Sequence, residues 1–199
     1  MNVNDIKTNP GQIPLGISNR HIHLSAADFK TLFGADAEPT MHKPVKQPGQ
    51  FACKELVTVE GPKGVIKDIR MLGPYRGTTQ LEVSAADARK LGVEPPIRDS
   101  GKLEGTPGVK ITGPKGSVTL TKGVIIAKRH IHFSDKDAAA FGVKDGQEVC
   151  VVCGRGSERE ALFGRVLCRV SDKFLLEMHL DIEEANAACV KNGDAAYLA

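Results

Sequence analysis

Short runs of β-branched and aliphatic residues alternate with turn signals along almost the whole chain. Residues 56–59 lead into Gly61-Pro62-Lys63-Gly64 and residues 65–72 lead out of it, while residues 109–112 and 117–120 flank Gly113-Pro114-Lys115-Gly116. Each arrangement predicts a β-hairpin, because a pleatable run is reversed by residues suited to tight turns. Further strands are predicted over residues 13–18, 124–127, 148–152, 165–170 and 174–180. Residues 34–49 are polar and carry Pro39, Pro44 and Pro48, which reads as a loop. Many short strands with frequent turns point to barrels or sandwiches rather than a parallel α/β sheet.

One pattern recurs four times. His21-Ile22-His23-Leu24-Ser25-Ala26-Ala27-Asp28, Gln80-Leu81-Glu82-Val83-Ser84-Ala85-Ala86-Asp87, His130-Ile131-His132-Phe133-Ser134-Asp135-Lys136-Asp137 and Glu177-Met178-His179-Leu180-Asp181-Ile182-Glu183-Glu184 share a strand-like polar/apolar alternation. Each then meets a Ser or Asp followed three residues later by an acid, the mark of a helix N-cap. The acid is Asp in three of the units, a weaker form of the capping box, and three of the helices end at Gly34, Gly92 and Gly142. On a strand, alternate side chains share a face. Each unit therefore projects two polar side chains from a strand end, just before a helix N-terminus, where anions are favoured.

Five of the six histidines fall in this pattern, and only His42 lies outside it. Glu82 takes the position of His23, His132 and His179. Imidazole nitrogens and a carboxylate suit zinc in an open site with room for water or substrate, so these six residues support two sets of three ligands. A single His-x-His strand is equally compatible with surface or hydrogen-bonded histidines. Its repetition, each copy preceded by Arg20 or Arg129 and followed by the same cap, favours the metal. Arg76 lies in a glycine-bounded turn before Glu82, where a guanidinium could grip phosphate or simply meet solvent. The two Gly-Pro-Lys-Gly turns lack Walker spacing and are not phosphate loops. No G-x-S-x-G is present, so Ser-His-Asp catalysis has no support.

Composition narrows the setting. The chain has 199 residues, 26% charged and 41% hydrophobic, with a net charge of +3, which is ordinary for a globular protein of one large or two small domains. No apolar run reaches bilayer length, and residues 1–12 lack the apolar region of a signal peptide and show no helical stripe, so a cytoplasmic location is expected. There is no Trp and no basic stripe with interleaved aromatics, which argues against nucleic acid as a partner. The five cysteines are expected as free thiols, and Cys150-Val151-Val152-Cys153 reads as part of a strand rather than a redox or zinc motif.

The segment Ile13-Pro14-Leu15-Gly16-Ile17-Ser18-Asn19-Arg20-His21-Ile22-His23-Leu24-Ser25 resembles the opening motif of the PduL-type phosphotransacylases, the phosphate propanoyltransferases. So do Gln47-Pro48-Gly49-Gln50-Phe51, the Leu-Gly-Pro-Tyr-Arg and Gln-Leu-Glu blocks within residues 72–82, Lys128-Arg129-His130-Ile131-His132, and residues 176–188, so that the likeness covers about residues 13 to 190.

The resemblance implies a mainly β (α+β) fold of two β-barrel domains capped by short helices. The first would span residues 20–127 with a hairpin insertion, and the second residues 10–19 and 128–199. It implies a dinuclear zinc site between them, one Zn2+ on His21, His23 and Glu82, the other on His130, His132 and His179. Arg76 matches the family's phosphate-contacting, catalytic arginine, and Ile17, Ser18, Asn19, Lys63, Arg70 and Asn186 fall where the family contacts coenzyme A. The implied reaction joins a short acyl-CoA, propanoyl or acetyl, with phosphate to give acyl phosphate and CoA, reversibly. Zinc suits the leaving thiolate and the carbonyl. Direct attack by phosphate is favoured because no Ser or Cys stands beside a plausible base, with Cys53 the nearest rival nucleophile. Substrates would be acyl-CoA, phosphate and acyl phosphate, with a homo-oligomer and microcompartment shell or cargo enzymes as further partners open to the family. Some members enter a bacterial microcompartment, in propanediol degradation, through a longer N-terminal extension than the twelve residues before Ile13. A zinc-dependent hydrolase of a thioester or phosphate ester, and a non-catalytic zinc-organised scaffold, remain alternatives on the residues alone.

Overall fold

The structure, a computed structural model, describes residues 11–199. Residues 1–10, and with them most of the segment expected to lack a signal or a helical stripe, lie outside the described residues. In chain order the elements begin β1 (Gln12–Ser18), β2 (His21–His23), α1 (Ala26–Phe33), β3 (Met41–Pro44), β4 (Phe51–Glu60), β5 (Val65–Gly73), β6 (Gln80–Glu82), α2 (Ala85–Leu91), β7 (Ile97–Arg98), β8 (Lys110–Thr112), β9 (Ser117–Thr119) and β10 (Val124–Ala127). They continue with β11 (His130–Phe133), α3 (Asp135–Phe141), β12 (Glu148–Cys153), β13 (Ala161–Val170), β14 (Glu177–Asp181), α4 (Ile182–Ala187) and β15 (Ala195–Leu198). No described helix is long and apolar enough to cross a membrane.

The chain divides into two compact units, one made of the segment through Ser18 with Arg129–Ala199, the other of Asn19–Lys128. The first is a closed barrel of order β1-β14-β11-β13-β12-β15. β1 closes it, running parallel to β14 with Gly16 opposite His179 and antiparallel to β15 with Ile13 opposite Ala196. Ile131 and Phe133 of β11 and Met178 and Leu180 of β14 enter the core beside Ile13, Leu15, Val151 and Val166. By strand alternation the intervening polar residues lie on the opposite face.

The second unit is a nine-stranded sheet of order β7-β10-β6-β2-β5-β4-β8-β9, with β3 added on β4. The barrel expected here does not close. Its end strands explain this: β7 is two exposed residues, and β9 is three residues with exposed Ser117 and Thr119, so neither offers an apolar face that another strand could cover. Ile22, Leu24, Leu81 and Val83 build its core with Phe29 and Leu32 of α1 and Leu91 of α2.

Ser25, Ser84 and Ser134 cap α1, α2 and α3 by accepting from the backbone N–H of Asp28, Asp87 and Asp137, and only α4 has the reciprocal box, between Asp181 and Glu184. The three Asp side chains make other bonds instead. Asp28 accepts from the Thr79 hydroxyl, Asp87 pairs with Arg20 at 3.1 Å, and Asp137 accepts from the Ser134 hydroxyl at 2.6 Å. Both Gly-Pro-Lys-Gly turns meet helix C-termini: the N–H of Lys63 donates to Leu91 O at 3.0 Å, and that of Lys115 to Leu32 O at 2.9 Å. A Cβ at Gly61 or Gly113 would collide with those same carbonyls, which is why glycine opens each turn.

Candidate functional site

Each ligand set rests on one antiparallel strand pair. In the second unit β2 and β6 put His21 opposite Glu82 and His23 opposite Gln80. In the barrel β11 and β14 put His130 opposite His179 and His132 opposite Glu177. The ligand atoms of His21, His23 and Glu82 lie within 4.8 Å of one another, as do those of His130, His132 and His179.

In the first set the ring orientations are fixed from behind. His21 Nδ1 lies 2.9 Å from Asn19 O, and His23 Nδ1 lies 3.2 Å from Leu72 O. A nitrogen held by a carbonyl carries the proton, so each ring turns an unprotonated Nε2 inward when neutral. Those Nε2 atoms sit 3.4 Å and 3.8 Å from the oxygens of Glu82. Burial opposes the charge on Glu82, yet His21, His23 and Arg76 hold its carboxyl well below the usual range. Burial likewise opposes a proton on His21, but Glu82 outweighs it and raises the imidazole. His23 is pushed down to about 3 by burial, with His21 and Arg76 adding to the effect.

The second set is three rings around one point: His130 and His179 stack at 5.0 Å, and His132 meets them edge-on at 4.7 Å and 4.9 Å. Phe174 stacks on His132 at 4.3 Å, and β14 begins only after it, at Glu177. Burial, then His130, His179 and Arg169, push His132 down to about 2, leaving it a neutral donor. His132 Nδ1 and His179 Nε2 are buried without a hydrogen-bond partner. Glu177 Oε2 lies 3.0 Å from His179 Nε2, but the contact lacks hydrogen-bond alignment. Buried orphan nitrogens are costly unless something takes their lone pairs. A cation held by neutral imidazoles fits this set, and one held by two imidazoles and a carboxylate fits the other.

Arg76 is anchored through its N–H to Leu24 O at 2.9 Å, and its Nη1 donates to Ser100 Oγ at 2.6 Å. With His23, Pro48, Gly49, Gln50, Gly73 and Pro74 it lines a cleft of about 320 Å3. The residues expected near coenzyme A are more scattered in role. Ile17 N–H donates to Asn192 Oδ1 at 2.7 Å, Ser18 ends β1 opposite Asp181, and Asn186 lies in α4. In the other unit Asn19 holds His21, Lys63 caps α2 through its backbone, and Arg70 donates to Cys53 O at 2.6 Å. Cys53 itself is buried, and burial with Glu55 nearby pushes its thiol up to about 11, so little thiolate forms at neutral pH. Ser100 and Arg169 also face the sets, although nothing in the sequence marks them as chemical, and so do Gln80 and Glu177. Ser100 follows the short exposed β7 with no motif around it, whereas the repeat alignment does contain Gln80 and Glu177 as partners of ligand positions.

A family model described as phosphate propanoyltransferase matches residues 14–191. The chain is similar to the phosphate propanoyltransferase of Thermotoga maritima, 53% identical over 193 residues that cover 97% of this chain and 91% of the relative. It is similar to that of Rhodopseudomonas palustris, 53% identical over 194 residues, 98% of this chain and 85% of the relative. The protein of the same name from Levilactobacillus brevis is 51% identical over 181 residues, 91% of this chain and 86% of the relative.

Proposed function

The chain belongs to the phosphate propanoyltransferase family, and from that premise we propose that each of its two ligand sets holds a zinc ion and that Arg76 receives the phosphate substrate. The activity is acyl transfer between coenzyme A and inorganic phosphate, propanoyl being the acyl group in the family's name. The observation that carries the site reading is the shared register of the two strand pairs, which gathers three metal-capable side chains in each unit while Arg76 opens on the cleft that His23 lines.

Phosphate and a thioester must meet in one orientation. A phosphate oxygen attacks the thioester carbonyl carbon, the C–S bond breaks, and coenzyme A leaves as thiolate. Zinc held by these sets would polarise the carbonyl and stabilise the thiolate. Arg76 offsets phosphate charge, and its fork, tethered through Ser100, orients the anion toward His23. The carbonyls of Asn19 and Leu72 keep the rings of His21 and His23 turned inward. Cys53 is too deeply buried and too weakly acidic to serve as a covalent relay.

The test is thiol release from propanoyl-CoA with and without phosphate. Release that requires phosphate and yields one acyl phosphate per thiol supports the transferase. Equal release without phosphate would return the protein to the hydrolase reading.

A further inference from the structure

The hydroxyl of Ser100 touches three groups: Arg76 Nη1 at 2.6 Å, Gln80 Nε2 at 2.8 Å and Glu82 Oε1 at 3.2 Å. Guanidinium and amide nitrogens only donate, so Ser100 accepts from both with its two lone pairs. Its one proton is left for Glu82 Oε1, which already accepts from Gln80 Nε2 at 2.6 Å. The orientation of the Gln80 amide is fixed independently, because Gly101 N–H donates to Gln80 Oε1 at 2.7 Å. Every donor and acceptor of the Ser100 hydroxyl is therefore used, in a single arrangement that runs from Arg76 through Ser100 to Glu82.

We propose that Ser100 is a positioning residue for acyl transfer, whose hydroxyl ties the Arg76 guanidinium to the Glu82 carboxylate and so fixes the anion-binding group relative to the cation-binding set. The inference rests on the reading of Arg76 as the phosphate contact and of Glu82 as a zinc ligand. Holding the loop is not the hydroxyl's role. The loop is closed by Lys102 N–H on Asp99 O at 3.0 Å, by the Lys102–Asp99 pair at 2.7 Å and by Gly101 on Gln80. Without the hydroxyl, Glu82 loses one of the bonds that aim its carboxylate and Arg76 loses the hydrogen-bonded link through Ser100 to that set, while the backbone keeps its course. Partners of this kind govern metal affinity and activity by about 10- to 100-fold.

The experiment compares wild type, Ser100→Ala, Ser100→Thr, Arg76→Ala and the Ser100→Ala/Arg76→Ala double variant. Zinc affinity is read by competition with a chromophoric chelator in the absence of substrates, and KM is measured separately for phosphate and for propanoyl-CoA. Ser100→Ala is expected to raise the phosphate KM and weaken the tighter or looser of the two zinc sites, whichever Glu82→Gln abolishes, each by about tenfold. The propanoyl-CoA KM and the melting temperature stay at wild type, and Ser100→Thr, which keeps the hydroxyl, restores both affected readings. In the Arg76→Ala background, loss of Ser100 adds little to the phosphate KM, because the tether then has nothing to hold. Wild-type zinc affinity and phosphate KM in Ser100→Ala, with a raised phosphate KM in Arg76→Ala, would overturn this inference alone. So would Ser100→Thr behaving like Ser100→Ala. An unchanged phosphate KM in Arg76→Ala would overturn the reading beneath it, and this inference with it.

Discussion

Arg129, immediately before the His130 strand, offers the sharpest test of how the barrel is held. Its Nη1 meets Glu184 Oε1 at 2.7 Å and its Nε donates to Gly164 O at 2.8 Å. The two side chains are 31% and 20% exposed. Arg165 makes a pair of similar length with Glu148, 3.1 Å, but Arg165 is 81% exposed. Breaking a buried pair costs roughly 3–5 kcal/mol, and an exposed pair is worth roughly 0.2–1 kcal/mol. Arg129 lies between these limits, so with the Gly164 bond included its loss should cost about 2–3 kcal/mol. For an m-value of about 2 kcal/mol/M this moves the urea midpoint down by about 1–1.5 M, against about 0.1–0.5 M for Arg165→Ala. Both variants are melted with EDTA present, so that metal linkage does not enter. The effect also has a pH sign. Burial raises the Glu184 carboxyl above its ordinary 4.5 while Arg129 pulls it down. A raised carboxyl contributes stability below its unfolded pKa and loses it as pH rises through the folded value. Removing Arg129 raises it further, so the deficit of Arg129→Ala should be full at neutral pH and shrink as the pH falls toward 4.5. Glu184→Gln in the Arg129→Ala background should recover part of the loss by removing the unpaired charge. Equal midpoint shifts for Arg129→Ala and Arg165→Ala, or a deficit independent of pH, would refute the reasoning.

Glu82→Gln should lower bound zinc by about one ion per chain, since the three-histidine set is complete without it, and Glu60→Gln should change nothing because Glu60 pairs with Lys110 on the surface. Elemental analysis showing full zinc in Glu82→Gln would remove Glu82 from the ligands. Arg76→Ala should raise the phosphate KM at least tenfold with zinc content unchanged, and Arg76→Lys should recover only part, because an ammonium lacks the guanidinium fork. Cys53→Ala should retain acyl transfer, as the buried thiol predicts, and mass spectrometry of a propanoyl-CoA reaction should find no acyl adduct on Cys53; an adduct would replace direct attack by phosphate with a covalent route.

The six metal-capable positions were legible because two independent local rules agree there. Strand parity sends His21 and His23 away from the core that Ile22 and Leu24 enter, and the caps at Ser25, Ser84, Ser134 and Asp181 fix where each strand ends. What joins the two strands of each pair was legible only through the repeat, since His130 and His179 meet across a separation of 49 in sequence. β3 escaped notice because all four of its residues are exposed and no apolar alternation marks it. The open edge of the second sheet depends on the shortness of β7 and β9, a property of pairing rather than of composition. The Gly-Pro-Lys-Gly turns read correctly as hairpins, but their second task at the ends of α1 and α2 is a tertiary contact with no local signature. In the sequence Arg20 and Arg129 only flank the two His-Ile-His strands; the fold reveals that each reaches the acid in the first turn of the partner strand's helix, Asp87 and Glu184.

The threading of β1 between β14 and β15 bears on the order in which a growing chain acquires its parts. Synthesis delivers residues 19–128 as one uninterrupted stretch, and every strand of the open sheet lies inside it. Units of this kind fold as they emerge. The barrel has no such option: β1 is made before the open sheet, yet the strands that receive it, over residues 177–181 and 195–198, are made only after that sheet is complete. A nascent chain halted before residue 177 would already own His21, His23 and Glu82 on paired strands, while His130 and His132 waited for His179. Any metal capture at the ribosome would thus begin at the acid-containing set, with the all-histidine set completed only once His179 has been made.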